Sequence, residues 1–242
     1  MMNSLVRVDR LWRRARDWAM QLLRCVVALA LAPAAAALTL PALPRLDAPA
    51  ALKESHSFSD QQNWLVPGAV LLGRYPGSGR GQWAEKAVRA MRGGAGVTTF
   101  VCLQSELPPQ DGGGEMPSGF EPYAAHARAC AGPPPDFVHF GIPDMCAAED
   151  LGELGKCVDD LAARVKRGET LFVHCWGGKG RTGLVAACLL GSLYASVGPE
   201  EALDRVQAYV ELRAPGVRSP ETDPQRDQVR DHFALRWPGR AG

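Results

Sequence analysis

The sequence predicts an α/β fold: a mostly parallel, twisted sheet of four to five strands flanked by helices, with a glycine-rich loop at the carboxyl end of a central strand. Three observations carry that expectation. Short apolar or β-branched runs alternate along the body with segments of helical spacing, the pattern of a parallel sheet with crossover helices. The stretch TLFVHCWGGKGRTGLVAACLLGSLYASVG (Thr170–Gly198) reads as strand, glycine-rich turn and apolar helix. No internal repeat divides the chain.

The elements follow in order from about Ser55. AVLLG (Ala69–Gly73), after Pro67-Gly68, is a short apolar run and predicts a strand. GQWAEKAVRAMRGGAG places Trp83, Ala87, Ala90 and Met91 at helical spacing and ends in glycines, a helix stop. VTTFVCL (Val97–Leu103) is β-branched and apolar, a buried strand. PPQDGGGEMPSG (Pro108–Gly119) is a loop by composition. FEPYAAHARACAG (Phe120–Gly132) predicts a helix, ended by three prolines, and DFVHFGI (Asp136–Ile142) another strand. In DLGELGKCVDDLAARVKRG, Leu151, Leu154, Val158, Leu161 and Val165 share one face of an amphipathic helix. TLFVH (Thr170–His174) is the next strand, and TGLVAACLLGSLYASVG (Thr182–Gly198) a nearly all-apolar helix for the core. Two further helices are expected at Glu200–Arg213 and Asp223–Arg236.

The 242 residues suffice for one medium α/β domain with an appendage. We expect a leader over residues 1–54 and a body over 55–240. Residues 1–50 hold seven arginines against three aspartates, a balance of +4; the net charge of the whole chain is +1, which leaves −3 for the remainder. A slightly acidic body excludes the basic face on which nucleic-acid binding depends. In the leader, an arginine-rich stretch precedes the charge-free run CVVALALAPAAAALTLPALP (Cys25–Pro44). That order of basic and apolar regions predicts a targeting or anchoring segment, with membrane association through it, or simply an alanine-rich leader with a short helix around residues 8–30. Pro33, Pro41 and the alanines argue against a full membrane span. The seven cysteines are odd in number and form no C-x-x-C pair, so a zinc ribbon is not indicated; several lie in apolar segments, where a free cysteine behaves as a small hydrophobe. A reducing compartment, cytoplasmic or organellar, is expected, and the protein is expected to be a monomer.

The chemistry lies in HCWGGKGRTG (His174–Gly183). A strand, a turn holding Gly177, Gly178 and Gly180, and a helix N-terminus form a concave nest of backbone N–H groups that binds an oxyanion. Glycines there permit positive φ and close approach of backbone to the anion. Cys175 sits at the bottom of the nest, where positive potential favours thiolate over thiol. Arg181 closes the loop with a planar fork suited to two phosphate oxygens. Trp176, Gly177, Gly178, Lys179 and Gly180 complete the phosphate-binding loop, with Lys179 directed to the mouth or solvent. Thr182 can donate a hydroxyl hydrogen bond to the thiolate. His174 is expected to prop the loop by bonding to backbone. A nucleotide-binding loop is excluded, because Lys179 is followed by Gly180-Arg181 rather than by Ser or Thr. Displacement at phosphorus also needs an acid for the leaving oxygen. FGIPDMCAAED (Phe140–Asp150) follows a strand and offers Asp144, with Glu149 and Asp150 as reserves. Cys188 lies in the apolar helix and is expected in the core.

His174-Cys175, five residues, then Arg181-Thr182-Gly183 resembles the signature of the cysteine-based protein tyrosine and dual-specificity phosphatases. GIPDM resembles the acid loop of the smaller dual-specificity members, including the cyclin-dependent-kinase-associated group. NWLVPGAVLLGRYPG (Asn63–Gly77) looks like their entry strand, and RSPETDPQRDQV (Arg218–Val229) is similar to their closing segment. The resemblance covers about residues 55–240. It implies a phosphoprotein substrate, tyrosine or serine/threonine, and two steps: attack by Cys175 with Asp144 as acid, then hydrolysis of the phosphocysteine with Asp144 as base. It implies no metal and no cofactor. Gln225 matches a glutamine that lies near the attacking water in the family, with Gln228 as competitor. Trp176 stands where polar or small residues are frequent. Lys179 matches a lysine of the phosphatase-and-tensin-like lipid phosphatases, so a phosphoinositide phosphatase is the alternative; a phosphate-binding module with little turnover is a third reading. Cys102 matches a cysteine of that lipid-phosphatase group that can form a disulfide with the nucleophile; a core thiol is the simpler reading. Cys146, beside the acid loop, is a second redox candidate.

Overall fold

The computed structural model describes residues 39–77, 82–110 and 115–240. In chain order they form α1 (Pro49–His56), β1 (Gln62–Val66), β2 (Val70–Arg74), α2 (Gln82–Arg89) with a π turn (Ala90–Gly94), β3 (Thr99–Gln104), α3 (Ala124–Ala129), β4 (Asp136–Ile142), α4 (Leu151–Lys166), β5 (Leu171–Cys175), α5 (Gly180–Leu193), α6 (Pro199–Glu211) and α7 (Asp223–Arg236). The five strands make one sheet in the order β1-β2-β5-β3-β4. β1 runs antiparallel to β2, and the other pairings are parallel. The expected mostly parallel sheet is therefore present, with β5 at its centre.

Strand alternation divides the core into two layers. On one face Val70, Leu72, Val101, Leu103, Leu171 and Val173 meet apolar residues of α4, α5, α6 and α7. On the other, Leu71, Phe100 and Phe172 meet Val88, Met91 and Tyr123. All five residues of β5 are buried, as a strand covered on both faces requires. In α5 every residue from Gly180 to Gly191 is buried, so its nearly uniform apolarity is explained by neighbours on all sides. α4 keeps its polar face in water and buries Leu154, Val158, Leu161 and Val165.

Several boundaries differ from the sequence reading. α5 starts two residues early, at Gly180, and stops at Leu193 rather than Gly198. A turn bonded from Val197 N to Tyr194 O intervenes, and Pro199 disfavours helix at Gly198. α3 is six residues long, shorter than the expected Phe120–Gly132 segment. α1 and β1 have no counterpart in the periodicity; β1 opens with Gln62 and Asn63, both buried.

The expected division between residues 54 and 55 falls inside α1. Leu40, Leu43 and Leu46 already pack on the core. Tyr194 donates to Pro41 O (2.9 Å) and Arg205 to Pro44 O (2.8 Å). The helix expected at 8–30 and most of the apolar leader lie outside the described residues. Among the described residues no helix is long and apolar enough to cross a membrane.

Candidate active site

Cys175 is the last residue of the central strand and is buried. The loop after it wraps a cavity of about 530 Å³ whose walls include Cys175, Trp176, Arg181, Asp144, Met145 and Arg213. Three of the loop's carbonyls are tied outward. Trp176 O accepts from Tyr75 N (3.0 Å), Lys179 O from Ser219 Oγ (2.7 Å), and Gly178 O from Arg213 Nη2. A trans peptide directs its N–H opposite its carbonyl. The amides of Gly177, Lys179 and Gly180 are thereby turned away from those partners, to the inner side of the loop. Lys179 gives no side-chain cap to α5, so the helix's first N–H groups are left for an anion.

Two requirements fix Gly178. Its φ is +70°, and a Cβ there would lie 2.3 Å from the Gly73 carbonyl group on the neighbouring strand. Only glycine lets the loop lie against β2.

Arg181 reaches back beneath the cavity, 2% exposed. Its Nη1 bonds Glu106 Oε2 (2.7 Å) and Ile142 O (3.0 Å); its Nη2 bonds Glu106 Oε1 (3.0 Å) and Asp144 Oδ1 (2.8 Å). Burial is the largest influence on this guanidinium and opposes its charge, but the Glu106 hydrogen bonds together with the charges of Cys175, Glu106 and Asp144 outweigh it, so the pKa of Arg181 rises. The expected acid thus lies against the expected anion-gripping arginine. Glu149 and Asp150 do not line the cavity, and Asp150 instead caps α4 by accepting from Glu153 N (2.9 Å).

A family model described as "PTP-SAK: Swiss Army Knife protein, DSP-PTPase phosphatase domain" matches residues 59–229. The chain belongs to that family. The chain is 39% identical to cyclin-dependent kinase inhibitor 3 of Rattus norvegicus over 69 residues, 28% of this chain and 32% of the relative. To the Homo sapiens protein of the same name it is 36% identical over 76 residues, 31% of this chain and 32% of the relative. The chain therefore spans about a third of the length of the curated relatives it matches. Among solved structures, Tk-PTP in the active form superposes with a TM-score of 0.50 at 20% identity, covering 71% of this chain and 95% of that one. Kinase associated phosphatase with its catalytic site cysteine changed to serine gives 0.51 at 21% identity, covering 70% and 88%. These structural likenesses confirm the fold.

Several side chains of the site do something other than the sequence suggests. The His174 ring bonds the Tyr123 hydroxyl (Nε2, 2.7 Å), and the Cys175 backbone favours its protonated form. It stacks on Phe172, and burial pushes it down to about 3, so it is neutral. Thr182 Oγ1 is buried with no hydrogen-bond partner; the expected bond to Cys175 is not formed in this state. Lys179 Nζ pairs with Glu221 (2.6 Å). Gln225 is held by the start of α7, where its Oε1 accepts from Glu221 N (3.0 Å) and Thr222 N (3.2 Å), while its Nε2 donates to Cys146 O (3.0 Å). Gln228 is likewise engaged, on Ala148. Cys102 belongs to the core layer opposite the one that holds Cys175. Burial pushes its thiol up to about 12, and in this conformation it is a core residue. Cys188 is buried in α5 as expected; Cys146 is exposed. Among the described residues no group of His, Cys, Asp and Glu could hold a metal ion.

Glu106, Arg213, Asn63 and Tyr123 went unnoticed in the sequence. Arg213 donates from Nε to Asn63 Oδ1 (2.7 Å) as well as to the loop, and burial, aided by the Arg74 charge and opposed by Cys175, lowers it to about 10. The one available signal was position: Glu106 follows the strand that neighbours the Cys175 strand, at the same sheet edge.

Proposed function

We propose that this phosphatase hydrolyses phosphomonoesters on protein side chains, tyrosine or serine/threonine, through a phosphocysteine on Cys175. The observation that carries this reading is Cys175 at the base of a loop whose carbonyls are tied outward, opposite a charged Arg181 anchored on Glu106. The phosphoryl group takes the inward amides and displaces Asp144 from Arg181, a dianion in place of a single carboxylate. Cys175 Sγ attacks phosphorus in line, the P–O bond to the leaving group breaks, and the protonated Asp144 gives its proton to that oxygen. Water then attacks the phosphocysteine, Asp144 takes the water's proton, and the S–P bond breaks to free phosphate and the thiolate. Arg181 and the amides hold the equatorial oxygens through both steps.

The mouth supports a side chain with an apolar body. Trp176 is half exposed, with Phe120 edge-on to it at 5.9 Å, and the exposed Met145 also lines the cavity. An aryl ring can lie against these groups. The phosphoinositide reading leans on Lys179, whose ammonium is already paired with Glu221, and on a membrane-directed leader, most of which lies outside the described residues.

Turnover of para-nitrophenyl phosphate should vanish in Cys175→Ser; unchanged turnover refutes the assignment. A phosphate-release panel of phosphotyrosine, phosphoserine/phosphothreonine and phosphoinositide substrates then decides the class. Faster release from inositol lipids than from every peptide rejects the protein substrate.

A further inference from the structure

The acid loop is tied down along its length by one face of α7. Thr222 Oγ1 donates to Met145 O (3.3 Å), and Gln225 Nε2 to Cys146 O (3.0 Å). Gln228 takes both backbone groups of Ala148: Oε1 accepts from its N–H (2.8 Å) and Nε2 donates to its carbonyl (2.7 Å). Positions 222, 225 and 228 recur every three residues and so follow one side of the helix. The segment leading into α7 also grips the glycine loop, through Ser219 on Lys179 O and Glu221 on the Lys179 ammonium. One rigid element therefore spans nucleophile loop and acid loop.

The ends of the acid loop are held as well. Ile142 O accepts from Arg181, Cys146 N bonds Pro143 O (3.1 Å), and Asp150 caps α4. Met145, between these ties, has φ +61°, a conformation that a non-glycine residue keeps only when its surroundings over-determine it. The Asp144 side chain, by contrast, is 55% exposed and meets Arg181 from the cavity side.

We propose that α7 is a fixed clamp holding the acid loop in its working position, with Gln228 a positioning residue for Asp144, so that the acid is delivered by rotation of one side chain rather than by closure of a lid. This rests on Asp144 being the acid. Rotamer changes of exposed side chains are far faster than collective loop closure, so no lid step intervenes before chemistry.

The test uses leaving groups. Loss of a general acid is felt most where the departing oxygen is most basic. Turnover of para-nitrophenyl phosphate and of phenyl phosphate is measured for the wild type, Gln228→Ala, Asp144→Asn and the double variant, with kcat–pH profiles. Gln228→Ala should lose about tenfold more kcat/KM, which reports the step that expels the leaving group, on phenyl phosphate than on para-nitrophenyl phosphate, a modest part of what an acid supplies. The double variant should be no slower than Asp144→Asn. Equal losses on both substrates, or a double variant slower by the full product, overturn the clamp. If Asp144→Asn itself shows no leaving-group dependence, the acid assignment fails, and the catalytic role of Gln228 with it. Gln228→Glu keeps the acceptor for Ala148 N but repels Ala148 O; should Gln228→Ala not fold, it is read in the same way.

Discussion

Arg181 carries a full charge into a place almost closed to water, and Glu106 is the residue that makes this tolerable. The two side chains meet fork to fork, the strongest geometry open to a carboxylate and a guanidinium. Glu106→Gln keeps the shape and removes the charge. It should lower kcat/KM by about 10- to 100-fold, the range expected for a charge-assisted pair, measured with para-nitrophenyl phosphate. Burial tends to raise the Glu106 carboxyl, but hydrogen bonds from Arg181, its own backbone and Gln104 outweigh that and hold it below the ordinary value. Its contribution to stability is thus complete above the unfolded carboxyl value, about 4.3 for glutamate, and is lost as pH falls through the lower folded value. Thermal melts of Glu106→Gln should lose less stability on acidification than those of the wild type. A steeper acid loss in the variant would contradict the ion pair's role.

The elements show how a loop is built from what flanks it. Gly178→Ala forces a Cβ into the Gly73 backbone at a positive φ, so the loop must leave β2. We expect at least about 100-fold loss of kcat, the scale of a lost oxyanion donor, with far-UV circular dichroism unchanged. Near-normal kcat would show that the loop does not depend on that contact. The elements legible in the sequence were those whose pattern is local. β4 and α7 occupy the expected residues, and α4 comes within a few residues, because amphipathic spacing and flanking breakers are written side by side. β1 escaped the periodicity, though not the resemblance, because its first two residues are polar and buried, and the partner of Asn63, Arg213, lies far along the chain. The site divides in the same way. Cys175, Arg181 and the glycines share one ten-residue stretch. Glu106 meets Arg181 across 75 residues, Tyr123 meets His174 across 51 and Arg213 meets Asn63 across 150, and no local spacing encodes such pairs.

At the scale of the molecule, buried histidines set the acid limit. Burial holds His174 down to about 3, and His56 and His232 to about 4. Folded, they stay neutral where the unfolded chain takes up protons, so stability falls as pH drops below about 6.5. For His174 alone the slope reaches about 1.4 kcal/mol per pH unit between its unfolded and folded values. His232 packs against Phe233 and Trp237, and neither ring nitrogen has a hydrogen-bond partner. His232→Phe should therefore raise the urea midpoint, and by more at pH 5 than at pH 7.5; an equal gain at both would place the histidine's cost elsewhere than in protonation. The brace from Asn63 through Arg213 to Gly178 ties the first strand of the sheet to a residue at the far end of α6 and thence to the nucleophile's loop. Its consequence is one of order of assembly. The pocket cannot take its final form until both the earliest strand and the penultimate helix have docked, so a chain still lacking either holds a cysteine but no cradle for it.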